Sequence, residues 1–291
     1  MSNLESNYAK ILNTLHQVEV QKNFLNQIRK PKLTDIELIA LNITSEYLGI
    51  DSERELFRRL PKCILDKIER SVYNRRKRQL FFYIEQVRKK LADEIIGDDN
   101  YFAIDSMPLE VCKMSRSNRS TICKEDYDSA PNFGYCASQD LKFYGYKLHS
   151  VCSSTGVFKS FDLTPANVHD IHYLNDVKYL LKSCFLIGDK GYISHSIQMD
   201  LFNTREIKLE VPMRKNQFNF KKMNYTLSKA RKRIETLFSQ LCDQFMIRRN
   251  YAKTFDGFKS RILSKMTALT VIQFINHQEN RNINNLKIKI C

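Results

Sequence analysis

The amino-acid pattern changes near residue 100, and this change constrains the fold more than any other feature. Residues 1 to about 97 carry apolar side chains at helical spacing throughout. Beyond them, short apolar runs alternate with amphipathic segments of helical length. The predicted order from residue 101 is strand, hairpin, helix, strand, helix, strand and helix. This order predicts an α/β fold in which helices flank a mixed five-stranded sheet, preceded by an all-helical N-terminal domain.

Five short apolar segments are predicted as strands, and they cover residues 101–105, 143–152, 157–163, 184–187 and 207–211. The sequence Ser153-Ser154-Thr155-Gly156 joins the second strand to the third and is typical of a hairpin turn. A polar loop of about 35 residues is predicted after the first strand. Helices are predicted for residues 168–181 and for most of the chain beyond Thr226.

Two capping-box patterns mark helix starts in the N-terminal region, where a hydroxyl residue is followed three positions later by Glu. They are Thr34 with Glu37 and Ser52 with Glu55. A longer helix is predicted from residue 63 to 96, and it carries the basic cluster Arg75-Arg76-Lys77-Arg78. Several helices with a basic face suit DNA binding, and they also suit a dimer contact or a plain helical bundle.

The turn-forming sequence Gly97-Asp98-Asp99-Asn100 predicts a domain boundary. We therefore expect a helical N-terminal domain at residues 1–97, which would bind DNA ends, mediate dimerisation, or both. Residues 98–265 are expected to form the catalytic domain. Residues 266–291 are expected to form a C-terminal helix and a polar tail.

The composition is typical of a globular protein, with 43% hydrophobic and 27% charged residues. No apolar run approaches the length of a membrane span. The first residues lack the basic start and apolar stretch of a secretory signal, so we expect a cytoplasmic protein. The eight cysteines include no Cys-x-x-Cys pair, which gives zinc little support even at Cys112, Cys123 and Cys136 in the predicted loop.

The positive charge is concentrated in one part of the chain. The formal net charge is +15, yet residues 1–100 hold 18 basic and 15 acidic side chains, a net of only +3. Residues 205–265 hold 16 basic and 5 acidic side chains, a net of +11. Aromatic residues are interleaved there, namely Phe218, Phe220, Tyr225, Phe238 and Tyr251. A solvated basic surface is the alternative, but this pattern favours a nucleic acid partner.

Two aspartates follow predicted strands directly. Asp105 ends the first strand, and Asp189 comes two residues after the strand 184–187. Functional sites in such sheets lie at the carboxyl ends of strands, and two neighbouring carboxylates repel each other unless a cation lies between them. Mg²⁺ prefers oxygen ligands, and two such ions can support phosphoryl transfer. That chemistry usually needs a third carboxylate.

The best candidate for the third carboxylate is Glu235, in the sequence SKARKRIETLFSQL. An apolar stripe at helical spacing predicts that this helix packs on the sheet, and Glu235 flanks the stripe. It is the only acid between Glu210 and Asp243. A surface ion pair between Arg231 and Glu235, four residues apart, is the alternative interpretation.

Five motifs in this order resemble those of bacterial insertion-sequence transposases of the DDE type. The motifs are YFAIDSMPLEVCK, FYGYKLHSVCSSTG, LTPANVHD, LIGDKGYIS and RKRIETLFSQL. The chain is most similar to the insertion-sequence family numbered nine-eighty-two, over roughly residues 100–260. The resemblance implies a ribonuclease-H-like fold, with Asp105, Asp189 and Glu235 as the metal-binding catalytic triad. It also implies a bacterial protein associated with the nucleoid.

By the same resemblance, the cofactor is two Mg²⁺ ions per active site, for which Mn²⁺ would substitute. Water would cleave DNA at the terminal inverted repeats, and the freed 3′-hydroxyl would then attack target DNA. The implied partners are double-stranded DNA and further copies of the chain, as a homodimer or a higher multimer. Ser228 and Cys242 stand where related families carry a tyrosine and a lysine, which leaves the processing of the second strand open.

Several basic residues are predicted to contact DNA, with ordinary solvated side chains as the alternative. They are Lys147, His149, Lys190, Arg231, Lys232 and Arg233. Two other functions stay open besides transposition. A nuclease of the same fold would cut DNA without joining it, and a silent DNA-binding descendant of a transposase would do neither.

Overall fold

The structure is a computed structural model that describes residues 3–137, 139–213, 220, 222–287 and 290, without the side chain of Thr226. Within these residues the α-helices are α1 (Asn3–Val18), α2 (Asp35–Tyr47), α3 (Glu53–Arg59), α4 (Lys62–Leu65), α5 (Arg70–Gln79), α6 (Phe81–Ile96), α7 (Tyr173–Leu180), α8 (His195–Arg205), α9 (Tyr225–Asp243) and α10 (Phe255–Gln278). The strands are β1 (Tyr101–Cys112), β2 (Asn132–Cys136), β3 (Leu141–Ser153), β4 (Phe158–Pro165), β5 (Cys184–Ile187) and β6 (Ile207–Glu210).

The chain forms two compact units. The first contains residues Met1–Ile95 and Gln240–Cys291, and the second contains Ile96–Ser239. Residues 240–265 therefore lie in the same unit as the N-terminal helices, whereas the sequence placed them in the catalytic domain. The helix α10 also runs through residue 266, where the sequence placed a boundary. The division into functional domains stays a prediction.

The first unit is helical, and α10 forms its centre. Every residue from Ile262 to Asn276 is buried, which is typical of a helix that is surrounded by other helices. The predicted capping box at Thr34 is confirmed, since its hydroxyl accepts from the backbone N–H of Glu37 and the Glu37 carboxylate accepts from that of Thr34. The predicted box at Ser52 is wrong, because the Ser52 side chain makes no capping hydrogen bond.

The single helix predicted for residues 63–96 is wrong as well, because the segment forms α4, α5 and α6. The connections between these helices contain the buried residues Ile68 and Leu80. Apolar periodicity therefore continues across both breaks, and the sequence pattern alone does not reveal them.

The second unit is built on a mixed sheet whose strands have the order β2-β3-β1-β5-β6, with β4 also paired to β3. β1, β3 and β4 are antiparallel, whereas β5 and β6 run parallel to β1. β4 pairs with residues Tyr146 to Cys152 of β3, and β2 pairs with the preceding residues Leu141 to Gly145. The predicted mixed sheet flanked by helices is confirmed, and its topology is consistent with a ribonuclease-H-like fold.

Two details of the predicted sheet are corrected. β1 does not end at Asp105 but continues to Cys112, and β2 lies inside the predicted polar loop, so the sheet has a sixth strand in the described part of the chain. Pro108 and Gly134, which disfavour strands in sequence, stand in these two segments. The helix predicted for residues 168–181 begins later, because a 3₁₀ turn at Asp170–His172 precedes α7.

The strand register determines which side chains share a face of the sheet. Asp105 pairs with Ser150, and Ser106 pairs with His149 on the neighbouring strand. Directly paired residues point to the same face, and successive residues alternate. Asp105 therefore lies on one face, which α9 covers through a contact between the rings of Phe158 and Phe238 at 6.2 Å. His149 lies on the other face, where α7 packs.

Candidate active site

Asp105 and Asp189 lie level with each other on adjacent strands. The paired residues of β1 and β5 run from Tyr101 with Phe185 to Ala103 with Ile187. Each pair is separated by 84 residues in sequence, and so are Asp105 and Asp189. Extended by two residues beyond the last pair, this register aligns Asp189 with Asp105, and the charge of Asp189 acts on the Asp105 carboxyl. Asp105 lies within its strand rather than at the end, and its role together with Asp189 stays a prediction.

The turn after β5 is shaped around Asp189. Its carboxylate caps the 3₁₀ turn Lys190–Tyr192, since Oδ1 accepts a hydrogen bond from the backbone N–H of Gly191 at 2.8 Å. A Cβ atom at Gly188 would lie 3.0 Å from the Tyr192 ring and 3.3 Å from Cγ2 of Ile104. An alanine at position 188 would therefore require these side chains to shift by a few tenths of an ångström.

Asp105 lies in an environment that opposes its charge. Burial, together with the smaller effects of the charges of Asp189 and Glu235, raises the pKa of its carboxyl to about 7. The Ser106 N–H, which donates to Oδ1 at 2.8 Å, and the charge of Arg231 act in the opposite direction. The three predicted carboxylates are therefore electrostatic neighbours, and their mutual repulsion is only partly offset. A site of this kind attracts a cation.

Glu235 lies on α9 beside the buried residues Ile234, Leu237 and Phe238. Its side chain is half exposed, and Oε1 lies 2.8 Å from Nη1 of Arg231. This ion pair is the alternative to metal binding that was inferred from the spacing of Arg231 and Glu235. In this conformation Glu235 neutralises Arg231, while its charge still acts on Asp105.

No group of three or more His, Cys, Asp or Glu side chains is arranged to hold a metal ion among the described residues. The triad is therefore not gathered at ligand distances. The chemistry of the donor set nevertheless suits Mg²⁺, because all three side chains supply hard carboxylate oxygens. Burial is the main cause of the raised pKa of Asp105, and the charges of Asp189 and Glu235 act in the same direction, so a divalent cation bound there would favour the ionised carboxylate.

Lys147 and His149 belong to a polar cluster on the α7 face, opposite Asp105. Nζ of Lys147 donates to the carbonyl of Val168 at 2.9 Å and to Oδ1 of Asp170 at 3.0 Å. Nε2 of His149 lies 2.8 Å from Oγ1 of Thr164, and only 1% of the His149 side chain is exposed. Burial lowers the pKa of His149 to about 4, so the imidazole is neutral near pH 7. The structure offers DNA no surface at His149.

The remaining predicted DNA contacts differ in exposure. Lys190 and Lys232 are exposed, whereas Arg231 and Arg233 are half-buried. The positive charge of Arg233 acts on the buried thiol of Cys152, which places this guanidinium against the sheet. Among the interleaved aromatics, Phe220, Tyr225 and Tyr251 are exposed and Phe238 is buried, while Phe218 lies outside the described residues.

Tyr192 is a site residue that the sequence analysis missed. Its ring lies against Gly188, and its buried hydroxyl has no hydrogen-bond partner within the described residues. Burial raises its pKa well above the ordinary value, and the charges of Asp170, Asp105 and Asp189 act in the same direction. The only sequence signal was an aromatic residue three positions after Asp189.

The mixed sheet with flanking helices, in which two aspartates and a helix-borne glutamate lie in electrostatic range of each other, is consistent with the ribonuclease-H-like fold of transposases. The family model described as "Transposase DDE domain" matches residues 96–271, which is more than half of the chain. The protein therefore belongs to the transposase DDE domain family. No curated protein gives a significant match to the chain. No helix in the described ranges has the length and hydrophobicity needed to cross a bilayer.

Proposed function

We propose that this transposase cleaves phosphodiester bonds at the terminal inverted repeats of an insertion sequence and joins the freed 3′-hydroxyl to target DNA. Membership of the transposase family supports DNA as the partner. The observation that supports the proposal is that the charges of both Asp189 and Glu235 act on the Asp105 carboxyl, on strands whose register aligns the two aspartates when it is extended by two residues. Asp105, Asp189 and Glu235 are the catalytic and metal-binding residues in this proposal.

The proposed cofactor is two Mg²⁺ ions, with Mn²⁺ as a substitute. Bound divalent ions supply activation of the attacking oxygen and stabilisation of the leaving oxygen in phosphoryl transfer. The backbone N–H groups of Ser106 and Gly191 each hold one oxygen of a triad aspartate and so orient the carboxylates. Glu235 must leave Arg231 in order to join the two aspartates.

The release of Glu235 would also change the role of Arg231. A guanidinium that loses its carboxylate partner is free to pair with a phosphate, for which its planar fork is well suited. We therefore propose that Arg231, Lys232, Arg233 and Lys190 contact the DNA backbone. Lys147 and His149, predicted as DNA contacts, are proposed instead to hold the segment around Asp170 in place from the opposite face.

The finer assignments rest on the five sequence motifs. We propose that the chain is a member of the insertion-sequence family numbered nine-eighty-two, and that it acts as a homodimer or higher multimer on DNA. The N-terminal residues 1–97 are proposed to contribute to DNA-end binding or dimerisation. A nuclease without strand transfer has the same carboxylates, so only the joining reaction distinguishes the two functions.

The test uses labelled linear DNA that carries the sequence flanking the gene, with supercoiled plasmid as the target. Wild type should nick the labelled DNA with Mg²⁺, should join it to the plasmid, and should do neither with EDTA. Asp189→Asn should lose both reactions. Asp176→Asn removes an exposed carboxylate of the same unit and serves as the matched control. Nicking without joining would show a nuclease, and DNA binding without nicking would show a silent binder.

A further inference from the structure

The first unit contains a cleft of about 610 Å³ that no part of the proposed catalytic mechanism uses. It is bounded by residues 45–56, by one side of α5 from Arg70 to Arg78 and by residues 251–261, which include the start of α10. Charged side chains of both signs line its walls. Which of these charges are already neutralised within the protein decides what the cleft can bind.

Each acidic side chain of the cleft has a basic partner. Oε2 of Glu46 lies 2.8 Å from Nζ of Lys265, and Oδ1 of Asp51 lies 3.1 Å from Nη2 of Arg261. Oε1 of Glu53 lies 2.6 Å from Nζ of Lys77, while Asn74 donates to both Glu53 carboxylate oxygens at 2.8 Å. The three acids are therefore compensated by three specific cations.

Four further cations line the same cleft. Arg54, Arg70 and Lys253 are exposed, and none of the three has an ion-pair or hydrogen-bond partner within the ranges that the structure describes. Arg78 is also exposed, and its guanidinium donates only to the neutral side chain of Asn74, at 2.8 Å. The charge of Arg70 nevertheless acts on Glu53, so Arg54, Arg78 and Lys253 are the cleft cations for which the described residues supply no carboxylate, and Arg70 is compensated in part.

Two further features suit a nucleic acid ligand. Tyr251 lies at the rim with 66% of its surface exposed, so its ring is available for stacking or packing against a sugar. The N-terminus of the 24-residue helix α10 opens into the cleft, where the Thr254 hydroxyl accepts from the backbone N–H of Gly257. The partial positive charge of a helix N-terminus adds to the attraction for an anion.

We infer that this cleft binds the sugar-phosphate backbone of DNA, with Arg54, Arg70, Arg78 and Lys253 as the phosphate contacts. The inference rests on the proposed function, because it supplies DNA binding to the same enzyme. It goes beyond the sequence prediction, because it joins cations of the N-terminal region, predicted to bind DNA ends or to dimerise, with Tyr251 and Lys253 of the basic segment 205–265 in one cleft. The cleft contacts no base edge in this proposal and therefore contributes affinity more than sequence specificity.

The test compares two triple variants of the full chain that remove the same number of cations from the same unit. One is Arg54→Gln with Arg70→Gln and Lys253→Gln. The matched control is Arg29→Gln with Lys30→Gln and Lys32→Gln, which changes exposed cations outside the cleft. Fluorescence anisotropy with a labelled duplex in EDTA measures the Kd of each protein over a series of salt concentrations. Because EDTA prevents cleavage, the outcome is independent of whether the carboxylate site is catalytic.

The cleft variant is expected to weaken binding at least tenfold near 0.15 M salt, against less than threefold for the control. Three lost phosphate contacts should also reduce the slope of log K against log salt by roughly 2 to 3. Equal losses in the two variants would overturn the inference, because they would show a diffuse effect of net charge. Displacement of the duplex by millimolar inorganic phosphate would also overturn it, since the cleft would then be a site for a small anion.

Discussion

The acidic side chains in the cleft of the first unit are paired with cations, whereas those in the carboxylate site of the second unit lie close to one another. In the cleft, Glu46, Asp51 and Glu53 each lie beside a specific cation. In the carboxylate site, Asp105 lies near two further acids, and the charge of Arg231 opposes theirs. Paired acids hold a structure together, whereas clustered acids with too few cations mark a place where a ligand must supply the missing charge. By the same reasoning, the excess of cations in the cleft indicates a ligand that supplies negative charge.

The largest effect should follow from Asp105→Asn, which removes a proposed metal ligand while keeping the shape of the side chain. We expect cleavage to fall at least about 10³-fold, since the chemistry depends on the carboxylates acting together. DNA affinity should be unchanged or tighter, because the variant removes negative charge. Single-turnover cleavage at saturating DNA, together with anisotropy in EDTA, separates the two effects. Cleavage within tenfold of wild type would remove Asp105 from the catalytic site.

Neutralising a paired acid should destabilise the protein, whereas neutralising a clustered acid should not. Glu46→Gln leaves the Lys265 ammonium, which is only 1% exposed, without its carboxylate partner. Breaking a buried ion pair from one side costs about 3 to 5 kcal/mol, and the remaining bond from Lys265 to the carbonyl of Phe245 at 2.6 Å will limit the loss to the lower part of that range. Urea unfolding at pH 7 measures the change. Glu55→Gln, at a solvent-accessible residue that pairs with the exposed Arg58 and Arg59, is the control and should change stability far less.

Asp105→Asn should instead stabilise the protein at high pH. The folded-state pKa of about 7 lies above the ordinary value of 3.8, so the stability contributed by the protonated form is complete below pH 4 and is lost as the pH rises through 7. Asparagine does not ionise and avoids this loss. We expect the variant to be more stable than wild type by up to about 4 kcal/mol at pH 8, and by much less at pH 5.

The measurement is urea unfolding of both proteins in EDTA at pH 5 and pH 8. Addition of Mg²⁺ at pH 8 should restore stability to wild type and not to the variant, because a ligand that binds only the folded state stabilises it. A variant that is equally or less stable than wild type at pH 8 would show that the charge of Asp105 is compensated in a way that the structure does not reveal.

The sequence predicted the parts of the fold that follow from local pattern. The strand Cys184–Ile187 is reproduced to the residue, because a short apolar run bounded by Ser183 and Gly188 has few other structures available. The sixth strand β2 was missed, since its exposed aromatics Phe133 and Tyr135 form no alternating buried pattern and its pairing to β3 is non-local. The helix breaks after Leu65 and Gln79 were missed because tertiary packing determines them.

The candidate site also contains features that could not be predicted from local sequence. The level position of Asp105 and Asp189 follows from their distance of 84 residues only once the strand register is known. The predicted DNA contact at His149 could not be tested from the sequence alone, because the face of β3 on which it lies depends on its pairing with Ser106. The unpartnered Tyr192 hydroxyl and the cation excess of the cleft arise from three-dimensional neighbours and leave no local signal.

The smallest effect on stability is expected at the ion pair between Arg231 and Glu235. Both side chains are partly exposed and lie one helical turn apart, so Arg231→Gln should change the free energy of unfolding by less than about 0.5 kcal/mol. The affinity for a metal ion should change more clearly than the stability. If Arg231 holds Glu235 away from the aspartates, the variant should bind Mn²⁺ more tightly than wild type while it binds DNA more weakly. Isothermal titration with Mn²⁺ at pH 8 tests the first expectation, and unchanged affinity would mean that Glu235 reaches the metal without first leaving Arg231. Lys229→Gln removes a cation from the same helix without an ion-pair partner among the described residues and serves as the matched control.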